Sequence, residues 1–413
     1  RLPAWFATIG IVWLTWCLAN HARGAAVARW STLVLSTMAL TYISAGAVMT
    51  DTFLVFGTTL SLVSMWFVLS GRSDCWRWWF FVGLAIGLLS KGPLAVVLTV
   101  TPLVLWAAIF RQQLQPLKKL PWLLGSLLTL AIAVPWYVLA ELKTPGFLNY
   151  FIIGEHFSRF LDPGWAGDLY GSAHDRPKGM IWIFWLWASF PWGIIGLVGF
   201  GLAAARGKTK DIFTGAVQDA STLYLLFCAI TPMLFFTLAG NTLWTYILPS
   251  LPFSAILIAG WVSQLNLRPW SRIRSGAVLL APVLITLFVF IGVSGVKPLK
   301  TEKQLIGRYE SIQQAGDGPI FYIGEMPFSA RFYSLGDAVE ITSTEFDSLL
   351  DADGYARVFA AIPNDAVDKV LGPRATDAQK LGENERYQLF SIDLPPTDSQ
   401  NDPVDSELNS KND

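Results

Sequence analysis

Residues 93–110 read PLAVVLTVTPLVLWAAIF, a stretch with no charged side chain and no polar face. A helix on the surface of a soluble protein keeps one polar side, and this one has none to offer water. A bilayer core needs about 20 apolar residues per helix. In lipid every backbone N–H and C=O must be paired within its own segment, so the stretch is expected to be a membrane helix. Nine further apolar stretches surround it, at 3–19, 31–49, 52–70, 78–90, 120–140, 180–203, 221–238, 246–263 and 275–294. The expected fold is therefore mainly α, a polytopic transmembrane helical bundle of about ten helices. The stretch 78–90 is short and would span only with help from its aromatic flanks.

Composition agrees. Of 413 residues, 53% are hydrophobic and 15% charged, with 19 Trp and 27 Phe, where soluble domains carry about a quarter of their residues as charges. This excludes a disordered chain and a disulfide scaffold. A formal charge of zero excludes a nucleic-acid binder driven by bulk charge. The zero conceals a split at residue 295. Before it lie 19 Lys and Arg against 9 Asp and Glu, a net of +10; after it lie 11 against 21, a net of −10. Every Trp precedes the split. The expected domains are a transmembrane body at 1–295, a small α/β domain at 296–398 and a polar, acidic, disordered tail at 399–413.

Lys and Arg concentrate in cytoplasmic loops of membrane proteins. Alternate connections hold Arg23 and Arg29; Arg72 and Arg77; Arg111, Lys118 and Lys119; Arg206, Lys208 and Lys210; Arg268, Arg272 and Arg274. These are expected inside. The corners near Asp51 and Lys91, the loop 141–179, the loop 239–245 and everything after 295 are then expected outside. By this count the first stretch starts on the outer side, and further segments are expected to precede Arg1. Cys17, Cys75 and Cys228 have no metal spacing and read as packing residues.

In the polar domain, Ile320 to Ile323, Arg357 to Ile362 and Tyr387 to Ile392 have strand character. Pro327 to Leu335 and Pro363 to Leu371 are expected to be helices opened by proline. No nucleophile and base are paired there, and a structural or regulatory role is expected.

Ionisable groups at membrane depth are costly and invite a functional reading. Here they gather on the outer side: Asp51 in Val48-Met49-Thr50-Asp51, Lys91 in Ser90-Lys91-Gly92-Pro93, and Glu155, His156 and Arg159 in the loop 141–179. The run Gly146 to Leu161 has an apolar side and is expected to be an amphipathic helix in the interface. On an α-helix Glu155 and His156 share a polar face with Arg159. The plain alternatives are an N-cap for Asp51, a snorkelling Lys91 and a structural Glu155–Arg159 pair. Lys and Arg can hold a phosphate, and a Glu–His pair can hold a divalent cation. The last outer loop, Leu238 to Pro249, is uncharged, and its Asn, Thr and Tyr side chains can donate hydrogen bonds.

These motifs form an ordered series. Met49-Thr50-Asp51 is followed by Ser90-Lys91-Gly92-Pro93, Pro135-Trp136-Tyr137, Glu155-His156-Phe157-Ser158-Arg159-Phe160, Phe190-Pro191-Trp192 and Thr245-Tyr246-Ile247-Leu248-Pro249. Over roughly residues 30–265 the chain resembles bacterial membrane glycosyltransferases of the aminoarabinose-transferase and protein O-mannosyltransferase type, the GT-C class. The resemblance implies an inner-membrane enzyme that moves a sugar from a polyprenyl-phosphate carrier to a lipid (lipid A-like), glycan or protein acceptor on the periplasmic side. It implies donor-phosphate contacts for Lys91, Arg159 and Tyr246, and a divalent metal on His156, to which Glu155 is added as a weaker ligand. The family's catalytic carboxylate lies in a first outer loop that would precede Arg1. No catalytic base is therefore assigned in this chain, Asp51 is at most an accessory, and the chain alone is expected to be inactive. Where aminoarabinose transferases carry lysines in the last outer loop, this chain has Ala239-Gly240-Asn241-Thr242, so the resemblance fixes neither donor sugar nor acceptor. The competing readings are a polyprenyl-lipid transporter or flippase, which needs charges and broken helices near mid-bilayer, and a non-catalytic membrane scaffold.

Overall fold

The computed structural model describes all residues except 73, 166, 168–173, 175, 208, 264–267, 294–300, 351–353 and 395–413. The tail 399–413 thus lies outside the described residues. The chain divides into two compact units, Arg1–Phe288 and Val289–Asp413.

The first unit is built from α1 (Leu2–Arg23), α2 (Ala25–Ser36), α3 (Ala39–Gly46), α4 (Thr50–Leu69), α5 (Trp76–Lys91), α6 (Leu94–Ile109) and α7 (Trp122–Lys143). A wide helical segment, Asn149–Ser158, runs into α8 (Arg159–Leu161). Then come α9 (Met180–Ala188), α10 (Trp192–Ala205), α11 (Thr209–Gln218), α12 (Ala220–Thr237), α13 (Leu251–Val262) and α14 (Arg268–Val293), which runs across the boundary at Phe288. Among the described residues five helices are long and apolar enough to cross a bilayer: α1, α4, α7, α12 and Trp244–Val262, whose first turn is a 3-10 helix. A sixth is counted if α9 and α10, bent by 109°, form one span. This is a multi-pass membrane protein.

Two stretches that read as continuous apolar spans are broken, and each break answers the other. The stretch 31–49 stops at Ser36 and restarts at Ala39; 180–203 stops at Ala188 and restarts at Trp192. The Ala39 amide donates to the Phe190 carbonyl at 3.0 Å. The Trp192 indole N–H donates to Thr37 Oγ1 at 2.8 Å. A break in lipid strands backbone groups, and here protein partners accept them.

The tightest packing lies between α4 and α5. Gly57 faces Gly83 and Gly87, and a Cβ on Gly57 would stand 2.6 Å from the Gly83 carbonyl oxygen and from the Gly87 amide nitrogen. Ser61 donates across the seam to the Phe80 carbonyl at 2.8 Å. Small residues let helix backbones approach where lipid supplies no hydrophobic drive. On the far side of α5, Gly125 of α7 packs against the Phe81 ring, and Thr129 donates to the Phe81 carbonyl at 2.9 Å. At the other end of the bundle Arg23 pairs with Asp219 at 2.8 Å. There Trp106 and Tyr224 bury their polar atoms on the carbonyls of Ala220 and Leu62.

The second unit is a five-stranded sheet: β1 (Ile320–Ile323), β2 (Val339–Ile341), β3 (Arg357–Pro363), β4 (Ala378–Glu383) and β5 (Tyr387–Asp393), in the order β2-β1-β3-β5-β4. β1 runs parallel to β2 and β3; β5 runs antiparallel to β3 and β4. Helices α15 (Lys303–Glu310) and α16 (Phe328–Tyr333) cover one face. Helices α17 (Ser343–Leu350) and α18 (Val367–Leu371) cover the other. The three strands read from sequence are present. Pro327 caps α16, as proline before a first turn should. Pro363 does not open a helix: it closes β3 opposite Tyr387, and α18 starts only at Val367. Glu302 is fully buried, held by Arg386 at 2.8 Å and the Asn384 amide at 2.7 Å. Burial, and then this carboxylate, push the Tyr322 hydroxyl well above the ordinary tyrosine range.

The α4–α5 seam yields a stability test. Gly83→Val drives a side chain into Ser61 and the Gly57 carbonyl and should cost about 1–3 kcal/mol. Gly201→Val, which meets nothing within 4 Å, should leave the thermal transition in detergent unchanged. Equal transitions for the two variants would remove the seam as a packing constraint.

Candidate functional site

Helix α4 starts after Met49 with Asp51 in its first turn, where the helix dipole favours a carboxylate. The N-cap residue is Met49, not Asp51; Asp51 pairs with Lys91, with Nζ 3.2 Å from Oδ1. Lys91 is the last residue of α5, the helix end where a cation is favoured. The chain then turns at Gly92 with φ 54°. The Leu88 carbonyl, in the last turn of α5, accepts from the Gly92 amide at 2.8 Å and from the Tyr137 hydroxyl at 2.6 Å. The Pro135-Trp136-Tyr137 motif therefore fixes the end of α5. The Lys91 ammonium stands 5.2 Å from the centroid of the Tyr246 ring, in cation–π range. Tyr246, at the start of Trp244–Ser250, packs its ring against Phe236 and lies within electrostatic reach of Lys91, Arg159, Asp51 and Glu155 together.

The segment holding Glu155 and His156 is not the α-helix expected for Gly146 to Leu161. Asn149–Ser158 is π-helical, and only Arg159–Leu161 follows as α. A π-turn brings residues five apart together, and such turns recur at functional sites. The Tyr150 hydroxyl accordingly donates to Glu155 Oε1 at 2.6 Å, and His156 Nδ1 lies 2.6 Å from the Phe151 carbonyl oxygen. Glu155 Oε2 pairs with Arg159 Nη1 at 2.8 Å. His156 does not share that polar face. It turns to α5, where Nε2 lies 2.8 Å from the Lys91 carbonyl oxygen. Gly92 makes room for the imidazole, since a Cβ there would lie 3.0 Å from His156 and 2.8 Å from Phe151. Behind it Phe147 stacks on Phe151 and meets Trp136 edge-on.

The metal expectation meets this geometry badly. Both His156 ring nitrogens face backbone carbonyls, and both Glu155 oxygens are taken by Tyr150 and Arg159. A ligating imidazole needs a free nitrogen lone pair aimed at the ion. Among the described residues no group of three or more His, Cys, Asp and Glu side chains is placed to hold an ion. The residues do not fit a metal centre. His156 serves instead as a strut between the π-turn and α5.

Sequence reasoning gave the loop from Leu238 to Pro249 only generic donors. Asn241 is a clamp. It is buried, and its amide donates to the Arg159 carbonyl at 2.7 Å and the Asp162 carbonyl at 2.8 Å; its oxygen accepts from the Gly164 amide at 3.3 Å. Gly240 donates to the Phe160 carbonyl at 2.7 Å and packs against Pro163 too closely for a Cβ. The loop thus caps the helix end that carries Arg159. A Gly-Asn pair before Thr-Tyr was the available signal.

The site brings together two cations, two carboxylates and a tyrosine at one end of the bundle. Arg159 and Lys91 offer a planar fork and a point charge, the pair of donors suited to a phosphate. Each is paired with a carboxylate.

Residues 1–151 match the family described as dolichyl-phosphate-mannose-protein mannosyltransferase. The chain is 28% identical over 318 residues to undecaprenyl phosphate-alpha-4-amino-4-deoxy-L-arabinose arabinosyl transferase 1 of Pseudomonas fluorescens, covering 74% of this chain and 51% of that protein. It is 31% identical over 229 residues to transferase 2 of another strain of that species, covering 53% of this chain and 35% of that protein. The chain spans about half the length, or less, of the curated relatives it matches. Its fold is similar to the crystal structure of ArnT from Cupriavidus metallidurans bound to undecaprenyl phosphate, with a TM-score of 0.70 and 16% identity over 94% of this chain and 82% of that chain. The apo form of that protein gives 0.68 and 17% over 95% and 83%. At this identity the likeness is one of fold.

Asn241→Leu keeps the volume and leaves two carbonyls and an amide without their partner. An unsatisfied buried group costs about 1–3 kcal/mol, so the variant should melt several degrees lower in detergent, and Asn241→Asp, which keeps the acceptor but sets a carboxylate oxygen against the Arg159 and Asp162 carbonyls, should recover none of the loss. A melting point unchanged in Asn241→Leu would contradict the clamp.

Proposed function

We propose, from a chain related in motifs, sequence and fold to the aminoarabinose transferases and protein mannosyltransferases, that this protein is an integral-membrane GT-C glycosyltransferase. It transfers a sugar from a polyprenyl-phosphate donor to a lipid, glycan or protein acceptor at the outer, periplasmic face of the bacterial inner membrane. The observation that carries the reading is the convergence of Lys91, Arg159 and Tyr246 beside Asp51 and Glu155. The bundle is read as ten membrane segments, since each apolar stretch falls on a helix or a broken helix pair. The loops that carry the site, and the α/β unit, are read as lying outside.

The chemistry follows from the donor. Its sugar is linked to a lipid phosphate. The acceptor oxygen attacks the anomeric carbon, the bond from that carbon to the phosphate oxygen breaks, and negative charge grows on the leaving phosphate. Lys91 and Arg159 neutralise that charge, which is stabilisation of the transition state by preset groups. The Tyr246 hydroxyl adds a donor. The acceptor proton needs a base. Asp51 becomes an accessory candidate once the phosphate draws Lys91 away from it. No step runs through a metal.

The charges sit at helix ends, not at mid-bilayer, which favours transfer over lipid transport. With the full-length enzyme in liposomes and a radiolabelled polyprenyl-phosphate sugar, Lys91→Ala and Arg159→Ala should each slow release of label from the carrier by about tenfold or more, some 1.4 kcal/mol of lost transition-state stabilisation. Arg159→Lys should restore only part, because a point charge lacks the fork. Near-normal turnover in both alanine variants would remove the phosphate role.

A further inference from the structure

The α/β unit displays an apolar surface that its own fold does not use. Phe328, Phe332 and Leu335 are 69%, 72% and 91% exposed, while Ala330 on the other side of α16 is fully buried in the core. Phe328 and Phe332, four apart on α16, share one face, and Leu335 follows just past the helix end. Leu335 also adopts φ 56°, a left-handed conformation that disfavours a residue with a Cβ, and Gly336 follows at φ 99°. A leucine held there and almost wholly exposed contributes little to the unit's packing. Such outliers and such patches point to a surface that meets something apolar.

What it meets follows from the tether. Helix α14, whose Leu284, Leu287 and Phe288 are exposed apolar side chains, ends at Val293, and α15 starts at Lys303. Nine residues lie between them and reach at most roughly 30 Å. A unit so tied to a membrane helix cannot leave the bilayer surface, so lipid is the apolar partner always within reach. The flanking charges are mixed, with Arg331 exposed among Glu325, Asp337 and Glu340. They offer no basic patch for anionic headgroups, so attachment must be apolar.

We propose that Phe328, Phe332 and Leu335 insert into the interfacial layer of the membrane that α14 enters, docking the α/β unit on the lipid surface by this face. The proposal rests on the reading of the first unit as membrane-spanning. In this arrangement α16 acts as an interfacial anchor, and α17, on the opposite face of the sheet, points to water.

The test uses the whole chain in phosphatidylcholine nanodiscs. Cys17, Cys75 and Cys228 are replaced by Ala, and one environment-sensitive fluorophore is attached at a time to Phe332→Cys, Ser348→Cys on α17, or Leu284→Cys on α14. Lipids brominated on the acyl chains should quench the Phe332 label about twofold more than the Ser348 label, blue-shift it, and do so equally at high salt. The Leu284 label should be quenched as well. Quenching at Leu284 without quenching at Phe332 overturns the proposal and leaves the membrane reading standing. No quenching at Leu284 overturns both. Shielding of the Phe332 label from a water-soluble quencher without lipid quenching assigns the face to a protein partner or a second copy, and also overturns it.

Discussion

The site depends on the approach of α4 to α5. Ser61 meets Phe80, Gly57 meets Gly83 and Gly87, and further along the same antiparallel register Asp51 meets Lys91. Gly57 lies six residues after Asp51, about 9 Å along the helix axis, and Gly87 lies four before Lys91, about 6 Å. A side chain in the seam would part the helices and separate the pair. The other site elements attach to this one. Tyr137 holds the last turn of α5 and His156 bridges from the π-turn to the Lys91 carbonyl. Asn241 secures the end of the segment that carries Arg159.

The electrostatics of the assembled site are those of a loaded spring without strain. Two cations at partly buried positions would be costly alone, and each has a carboxylate beside it. The arrangement is neutral in sum, so it can persist at the membrane surface without substrate. In the proposed function the donor is a phosphodiester, with one negative charge as a carboxylate has, and further charge develops on its phosphate as the bond to the sugar breaks. The proposed transfer is then an exchange of anions, in which Asp51 and Glu155 give way as that charge grows. That exchange also accounts for two acids standing beside two phosphate-binding groups, an arrangement that otherwise weakens anion binding.

Much of this was legible in the sequence, because lipid imposes strong rules. Uncharged apolar stretches marked the helices, and the few charges outside the basic loops marked residues that the fold gathers around Lys91. Helix breaks were not legible: 31–49 and 180–203 are apolar throughout, and their kinks are sustained by long-range partners such as Trp192 and Thr37. The π-turn at Asn149–Ser158 also escaped, since α spacing and π spacing differ by one residue in five, and the change moved His156 from a ligand-like position to a strut. Asn241 was invisible as a clamp because its partners are backbone carbonyls about 80 positions away. In the α/β unit the hydrophobic strands β1, β3 and β5 were clear, whereas β2 and β4 are short or polar edge strands. Helix α17 was overlooked although Thr342-Ser343-Thr344-Glu345 is a capping box, with the Thr342 amide and hydroxyl holding the Glu345 carboxyl below its ordinary range.

The central claim, that a lipid phosphate takes Lys91 and Arg159 from their carboxylates, is tested most directly by the affinity of polyprenyl phosphate for the Asp51→Asn protein in nanodiscs. Removing the competing charge while keeping the side-chain shape should tighten binding severalfold relative to the unaltered protein, roughly 0.5–1 kcal/mol for a partly exposed pair. Unchanged or weaker binding, in a variant whose melting point shows it to be folded, would contradict the exchange and leave Asp51–Lys91 as a structural ion pair.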